Sequence, residues 1–419
     1  MEAFLKVLPF IFEGFLSAVF QPLFWIVVLM VAFLNLRQIR LKETLFGIKD
    51  ESLLFYTSLS FFYGLVGGLI GSFLMILFGV SIIEIGISYL WIIALVLMLV
   101  HPRFLCFSYA GGLLSLSSIL FGFPNIDVPQ LMGLVAILHM VESLLILSSG
   151  HVGAIPIYIR NDRGELVGGF SLQMYWPIPI VTLLIMSKSI FPGEWLNMPQ
   201  WWPLIKPDIQ GSLDNILYVI YPVVAALGYG DIALAHFPKE KVRKAALNLA
   251  AYSLILLFMC VVVSNYRTAT LYLLPALFGP VGHEIIVHIG QRQELRGRPL
   301  FINPPEGIKV LEVLKGSFAD RLGLSTCDVI LKINDIPVNT KKELQEAFDI
   351  NPWWAAVEYL KAADKRIRVD TIKKRLNEPF GIIPAPTPLD QPNIFINQKG
   401  FLAEKLKKLK ELFIRRRKQ

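Results

Sequence analysis

The sequence predicts an α-helical membrane domain of about nine spans, followed by a small cytoplasmic α+β domain built as a β-barrel or sandwich with two helices. Three observations predict it. The chain of 419 residues is 54% hydrophobic but only 17% charged, against about a quarter charged in soluble proteins. The apolar runs are confined to residues 1–290, while the remainder reads as an ordinary soluble domain. Basic residues follow alternate apolar runs.

A span needs about 20 mostly apolar residues. Candidates lie at 23–36, 53–78, 82–100, 104–121, 131–148, 176–191, 216–235, 245–263 and 270–289. Residues 3–20 are also apolar but carry Glu13, and suit either an interfacial helix or an additional span. Arg37, Arg40, Lys42 and Lys49 follow the first span, and His101 and Arg103 the third. Arg160 and Arg163 follow the fifth, "KEKVRK" (239–244) the seventh, and Arg292, Arg296 and Arg298 the ninth. These loops share one side, which the positive-inside rule makes cytoplasmic. The C-terminal domain is then cytoplasmic too. One of these loops, "PIYIRNDRGELVGGFSLQ", alternates about an Asp162-Arg163-Gly164 turn and reads as a β-hairpin, either a folded connector or a docking surface.

The formal net charge is +8. Much of it lies in the tail "FLAEKLKKLKELFIRRRKQ", where Leu402, Leu406, Leu409 and Phe413 recur at helical spacing. Residues 386–419 therefore read as a linker and a basic amphipathic helix. Lys405, Lys408, Arg415, Arg416 and Arg417 would face an anionic lipid surface, each contributing about 1 kcal/mol. No nucleic-acid partner is expected. The N-terminus lacks the basic segment and small-residue cleavage site of a signal peptide. Cys106, Cys260 and Cys327 have no paired spacing, which argues against disulfides and against a cysteine zinc site.

From Gly307 the pattern becomes specific. "GIKVLEVL" alternates as a strand, "KGSFADRLGL" gives a capped short helix, and "CDVILKINDIPV" gives strand, turn and strand. "NTKKELQEAF" opens with Thr340 and Glu343 in a capping box, and two further strands follow. This order resembles a bacterial PDZ domain over residues 299–385. Cys327 departs from it, occupying a position where such domains usually place glycine. The resemblance implies peptide binding by strand addition. Its groove would lie between 307–313 and 341–348, with Gly307, Ile308, Lys309, Val310, Leu344 and Phe348 as lining residues. Leu344 and Phe348 serve equally well as core.

Several motifs suggest other chemistry. In "GHEIIVHIG", His283 and Glu284 precede His288 by five and four residues. Five helical steps separate two rings by about 140°, whereas the i, i+4 zinc pair needs about 40°. No Asp-Gly pair supplies a distant ligand, so neither metal nor other cofactor is expected. "GYGD" (228–231) is similar to a channel filter but lacks its lead-in. Glu84 and Glu142 lie in apolar runs, and Glu142 could pair with His139 on one helix face. The glycines of "GLVGGLIGSF" suit close helix packing.

Taken together, the multi-span core, "GGFSLQMYWPIP", "GYGD", "GHE" and a single cytoplasmic PDZ domain resemble the polytopic PDZ proteins of Gram-positive bacteria that determine division topology. The resemblance implies a scaffold and not an enzyme. It would sit at septum and poles and bridge a DivIVA-like protein to Min-like inhibitors of division-ring assembly. A site-2-type intramembrane metalloprotease, or a degenerate relative of one, and a transporter are the alternatives.

Overall fold

The computed structural model describes residues 2–47, 52–81, 87–187, 198–208, 216–266 and 268–393. Glu84 and the basic tail, with Lys405, Lys408, Arg415, Arg416 and Arg417, lie outside the described residues. The N-terminal part contains α1 (Glu2–Phe20), α2 (Pro22–Phe46), α3 (Leu53–Phe78), α4 (Ile87–Val100), α5 (Phe107–Phe121) and α6 (Val128–Ser149). A sheet of β1 (Ile155–Arg160), β2 (Leu166–Ser187) and β3 (Ile216–Ala233) follows, then α7 (Pro238–Tyr266) and α8 (Ala269–Arg296). Among the described residues, five helices (α2, α3, α6, α7 and α8) are long and apolar enough to cross a bilayer. Their outer faces expose Leu29, Phe33, Leu254 and Phe258, the surface expected of helices solvated by lipid. The most buried helix is α6, enclosed by α3, α5, α7 and the sheet.

Two of the nine expected spans are not helices. Residues 176–191 and 216–235 fall largely in β2 and β3, an antiparallel hairpin in register from Phe170↔Ala233 to Ser187↔Ile216. An unbroken apolar run has no periodicity to separate helix from strand. The prolines separate them. Pro177 and Pro179 would break a helix interior, but a strand tolerates proline where its N–H would face no ladder partner.

Here the unpaired side of β2 faces α3. Backbone groups of alternate residues point the same way along a strand. Pro177 and Pro179 offer no N–H on that side. The Val181 N–H donates to Ser72 Oγ at 2.8 Å and the Leu183 N–H to the Val80 carbonyl at 3.2 Å. The carbonyls of Pro177 and Pro179 press against two glycines one helical turn apart. A Cβ on Gly64 would lie 2.1 Å from the Pro177 oxygen, and one on Gly68 would lie 2.1 Å from the Pro179 oxygen. The glycine stripe therefore serves helix-to-strand contact, closer than two side-chain-bearing backbones can approach.

"GYGD" lies within β3, where Gly228, Tyr229 and Gly230 are in register with Tyr175, Met174 and Gln173. Asp231 forms an ion pair with Lys241 at 2.9 Å. The channel-like motif is thus part of a ladder.

The C-terminal region is rich in sheet. It contains β4 (Ile308–Val313), α9 (Phe318–Leu322), β5 (Val329–Ile333), β6 (Ile336–Pro337), α10 (Lys341–Asp349), β7 (Trp354–Leu360), β8 (Ile367–Lys373) and β9 (Ile382–Pro384). The strand order is β8-β7-β5-β4-β9, with β6 on β5. The caps form where the sequence places them: Ser317 Oγ accepts from the Asp320 N–H, and Thr340 Oγ1 accepts from the Glu343 N–H. Cys327 does adopt the left-handed conformation expected of a glycine, with φ 71°. The core joins Ile308, Val310, Ile330 and Leu344 to a triad of rings, Phe318, Phe348 and Phe380, 5.0–5.7 Å apart. Arg321 of α9 clamps the segment before β9, its Nε donating to Glu378 Oε1 at 2.8 Å.

This domain docks on the chain's own β1–β2 hairpin. The Gly168 N–H donates to the Phe301 carbonyl at 2.9 Å, and the Phe301 ring is fully buried against Phe170. The Tyr158 hydroxyl donates to the Pro384 carbonyl at 2.8 Å. Leu311, Ile383 and Ala385 complete the same apolar cluster. Just after β3, buried Glu294 of α8 accepts from the Leu234 and Ala235 N–H groups at 2.8 Å each, with His236 Nδ1 at 2.7 Å.

Two predictions follow from this packing. Gly64→Ala and Gly68→Ala should each destabilise the detergent-solubilised chain by about 1–3 kcal/mol. Gly230→Ala, where a Cβ meets nothing within 4 Å, should change little, so equal unfolding temperatures for all three would refute the close contact. The second concerns the Arg321 guanidinium, which holds the Glu378 carboxyl below the usual carboxylate range. A depressed carboxylate stabilises the fold above its unfolded pKa of about 4.3, and the increment is lost as pH falls through the lower folded value. The stability difference between the native chain and Arg321→Ala should therefore be largest near neutrality and narrow below about pH 4. Calorimetry at a series of pH values checks it; a difference independent of pH would contradict it.

Candidate functional site

Three helices bring soft and nitrogen donors together inside the membrane part. Cys106 is the N-cap of α5, and its Sγ accepts the Ser108 N–H at 3.4 Å. His139 lies on α6 and is buried; His283 lies on α8 and is half-buried. His139 Nε2 is 3.0 Å and His283 Nε2 3.7 Å from Cys106 Sγ, and all three atoms lie within 4.8 Å of one another. The two imidazoles stand edge to face, with centroids 5.2 Å apart.

The surroundings fix each ring. His139 Nδ1 sits 2.7 Å from the Val135 carbonyl one turn earlier. A carbonyl only accepts, so Nδ1 carries the proton and Nε2 presents a lone pair to Cys106. His283 Nδ1 is 3.3 Å from the Tyr109 hydroxyl, which donates to Glu284 Oε2 at 2.6 Å. Arg103 Nη2 donates to the other carboxylate oxygen at 2.8 Å. With its own proton committed to Glu284, Tyr109 Oη accepts from His283 Nδ1, and the His283 Nε2 lone pair also turns toward Cys106. Below, Tyr252 packs edge-on to both imidazoles. Its hydroxyl and Ser108 Oγ both reach the Gly279 carbonyl, at 2.9 and 2.7 Å. Among the described residues, Cys106, His139 and His283 are the cluster of three such donors close enough to hold a metal ion.

The sequence singles out His283 and Glu284 but pairs them with His288. That residue is exposed on another face of an unbroken helix. The partners are His139 and Cys106, 33 residues apart from each other and on separate elements. Spacing rules detect ligands that share one helix or loop, so they miss this set. The expected His139–Glu142 pair does not form, because both imidazole nitrogens of His139 are engaged elsewhere.

In the C-terminal domain, the residues expected to line a peptide groove are placed differently. Strand β4 is interior: Ile308 and Lys309 are in register with β5, and Val310–Val313 with β9. A strand with partners on both sides has no edge to offer. Ile308, Val310, Leu344 and Phe348 are buried in the domain core. Gly307 has φ 87°, and a Cβ there would meet the Ile330 oxygen at 2.6 Å. Lys309 Nζ donates to the Leu300 carbonyl at 2.9 Å. The terminal strands are β9 and β8. Of the two, β9 adjoins α10, because Phe380 just before it stacks edge-on against Phe348 at 5.2 Å.

No family model matches the chain. A curated relative is the cell division topological determinant MinJ of Bacillus subtilis (strain 168). It is 24% identical over 242 residues, covering 55% of this chain and 55% of the relative. The chain thus spans about half the length of the curated relative it matches, and over that half it resembles MinJ.

Proposed function

We propose that this protein is a membrane-embedded scaffold that helps place the division site, with its C-terminal domain acting as a cytoplasmic PDZ-type peptide-binding module. The resemblance to a cell division topological determinant carries the reading. The order of strands and capped helices in the C-terminal domain supports the PDZ assignment. Orientation rests on the basic segments. Replacing two adjacent spans by a hairpin removes an even number of crossings, so the C-terminal domain stays on the side of Arg37 and Arg40. Two basic segments make ion pairs on this side: Lys42 with Glu312 of the C-terminal domain at 3.6 Å, and Arg296 of α8 with Asp162 of the β1–β2 turn at 3.1 Å.

In this reading a partner's extended segment binds the C-terminal domain by strand addition, and backbone hydrogen bonds supply much of the affinity. DivIVA-like and Min-like proteins are the partners that the family resemblance implies. The basic tail would add an anionic-lipid contact. The metalloprotease reading needs Glu284 as its general base. Against it stands the commitment of both Glu284 oxygens to Tyr109 and Arg103.

The test is the position of a fluorescent fusion of the full chain in dividing cells. Enrichment at septum and poles is expected, and a chain ending at Arg296 should keep its membrane signal but lose the enrichment. A uniform membrane signal from the full chain would overturn the proposal.

A further inference from the structure

We propose that Cys106, His139 and His283 form a binding site for a single divalent zinc-class metal ion, which ties α5, α6 and α8 together. The inference does not depend on whether the C-terminal domain binds peptides.

Both imidazoles turn a bare Nε2 lone pair toward one sulfur, because the Val135 carbonyl and the Tyr109 oxygen each claim the Nδ1 proton. A cysteine thiol has one proton and can serve one of them. The other lone pair would be left without a donor in a site where His139 is buried and His283 half-buried. A divalent cation serves all three donors at once.

The distances agree. Tetrahedral zinc with bonds of about 2.3 Å to sulfur and 2.0–2.1 Å to nitrogen sets its S···N separations at about 3.6 Å. The two found here, 3.0 and 3.7 Å, bracket that value. One thiolate and two imidazoles are also a donor set that favours zinc over magnesium or calcium, which prefer oxygen.

The outer contacts have the form that holds metal ligands in place. One imidazole donates to a backbone carbonyl. The other donates to a tyrosine oxygen backed by a carboxylate and an arginine. The sulfur accepts the Ser108 N–H as the N-cap of a 15-residue helix, which fixes its direction toward the two imidazoles. Three protein ligands leave a fourth position for water or an exogenous ligand. The half-buried Cys106 and His283 leave that side of the site accessible.

The test uses the full chain in detergent, stripped of metal and titrated with Zn²⁺ or Co²⁺. One ion should bind per chain, and the cobalt form should show a thiolate-to-cobalt charge-transfer band. Cys106→Ser should abolish the band, whereas Cys260→Ser and Cys327→Ser should retain it. Tyr109→Phe, which leaves the ligands in place, should weaken Zn²⁺ binding by about 10–100-fold. Should Cys106→Ser fail to fold, X-ray absorption of the unaltered zinc-loaded chain should show one sulfur and two imidazole neighbours. Absence of stoichiometric binding by the folded chain, persistence of the band in Cys106→Ser, or absorption with only oxygen neighbours would each overturn the proposal.

Discussion

An apolar core that takes in a β-strand must account for every backbone N–H along the strand's open side, because nothing there can replace water. Strand β2 has β3 on one side from Phe170 onward but β1 on the other only as far as Ser171. Beyond that point it faces α3. The solution is chemical: two prolines remove donors, a serine and a turn carbonyl receive the next two, and two glycines let the helix backbone approach the remaining carbonyls. The arrangement of the membrane part depends on this contact. It sets α3 against the hairpin, α3 and the hairpin enclose α6, and α6 carries His139 to Cys106 and His283.

Helix α8 links the two regions of interest. His283 lies in its middle, and Glu294, about 16 Å further along at 1.5 Å per residue, holds the residues that follow β3, in the sheet on which the C-terminal domain sits. A displacement of α8 along its axis would therefore strain the polar cluster and the domain's platform together.

Much of this was legible in the sequence, for physical reasons. The caps at Ser317 and Thr340 are local, so they read directly. The short hairpin around Asp162-Arg163-Gly164 alternates clearly, and its docking role appears only when Phe301 is seen against Gly168. The long strands misread as helical spans because length and apolarity are shared by both; the informative detail was the i, i+2 prolines at 177 and 179. The groove between 307–313 and 341–348 is what the PDZ resemblance implies, not something the residue pattern itself shows. Which strand becomes an edge is decided by pairing at long range, and β9 is only three residues long. The Cys106–His139–His283 set was invisible for the same reason, since its members meet only through helix packing.

The outermost strand of the C-terminal sheet carries a different consequence. Strand β8 is solvent-exposed along almost its whole length, with Ile367 and Val369 uncovered beside Arg366, Arg368 and Lys373. It lies four strand spacings from β9, about 19 Å across the sheet. A bare apolar strand edge is an invitation to pair with a neighbour's. Copies confined to one bilayer, each domain seated on its own hairpin, would meet with these edges at a common height. Basic side chains along such an edge place like charge opposite like charge, which disfavours that pairing.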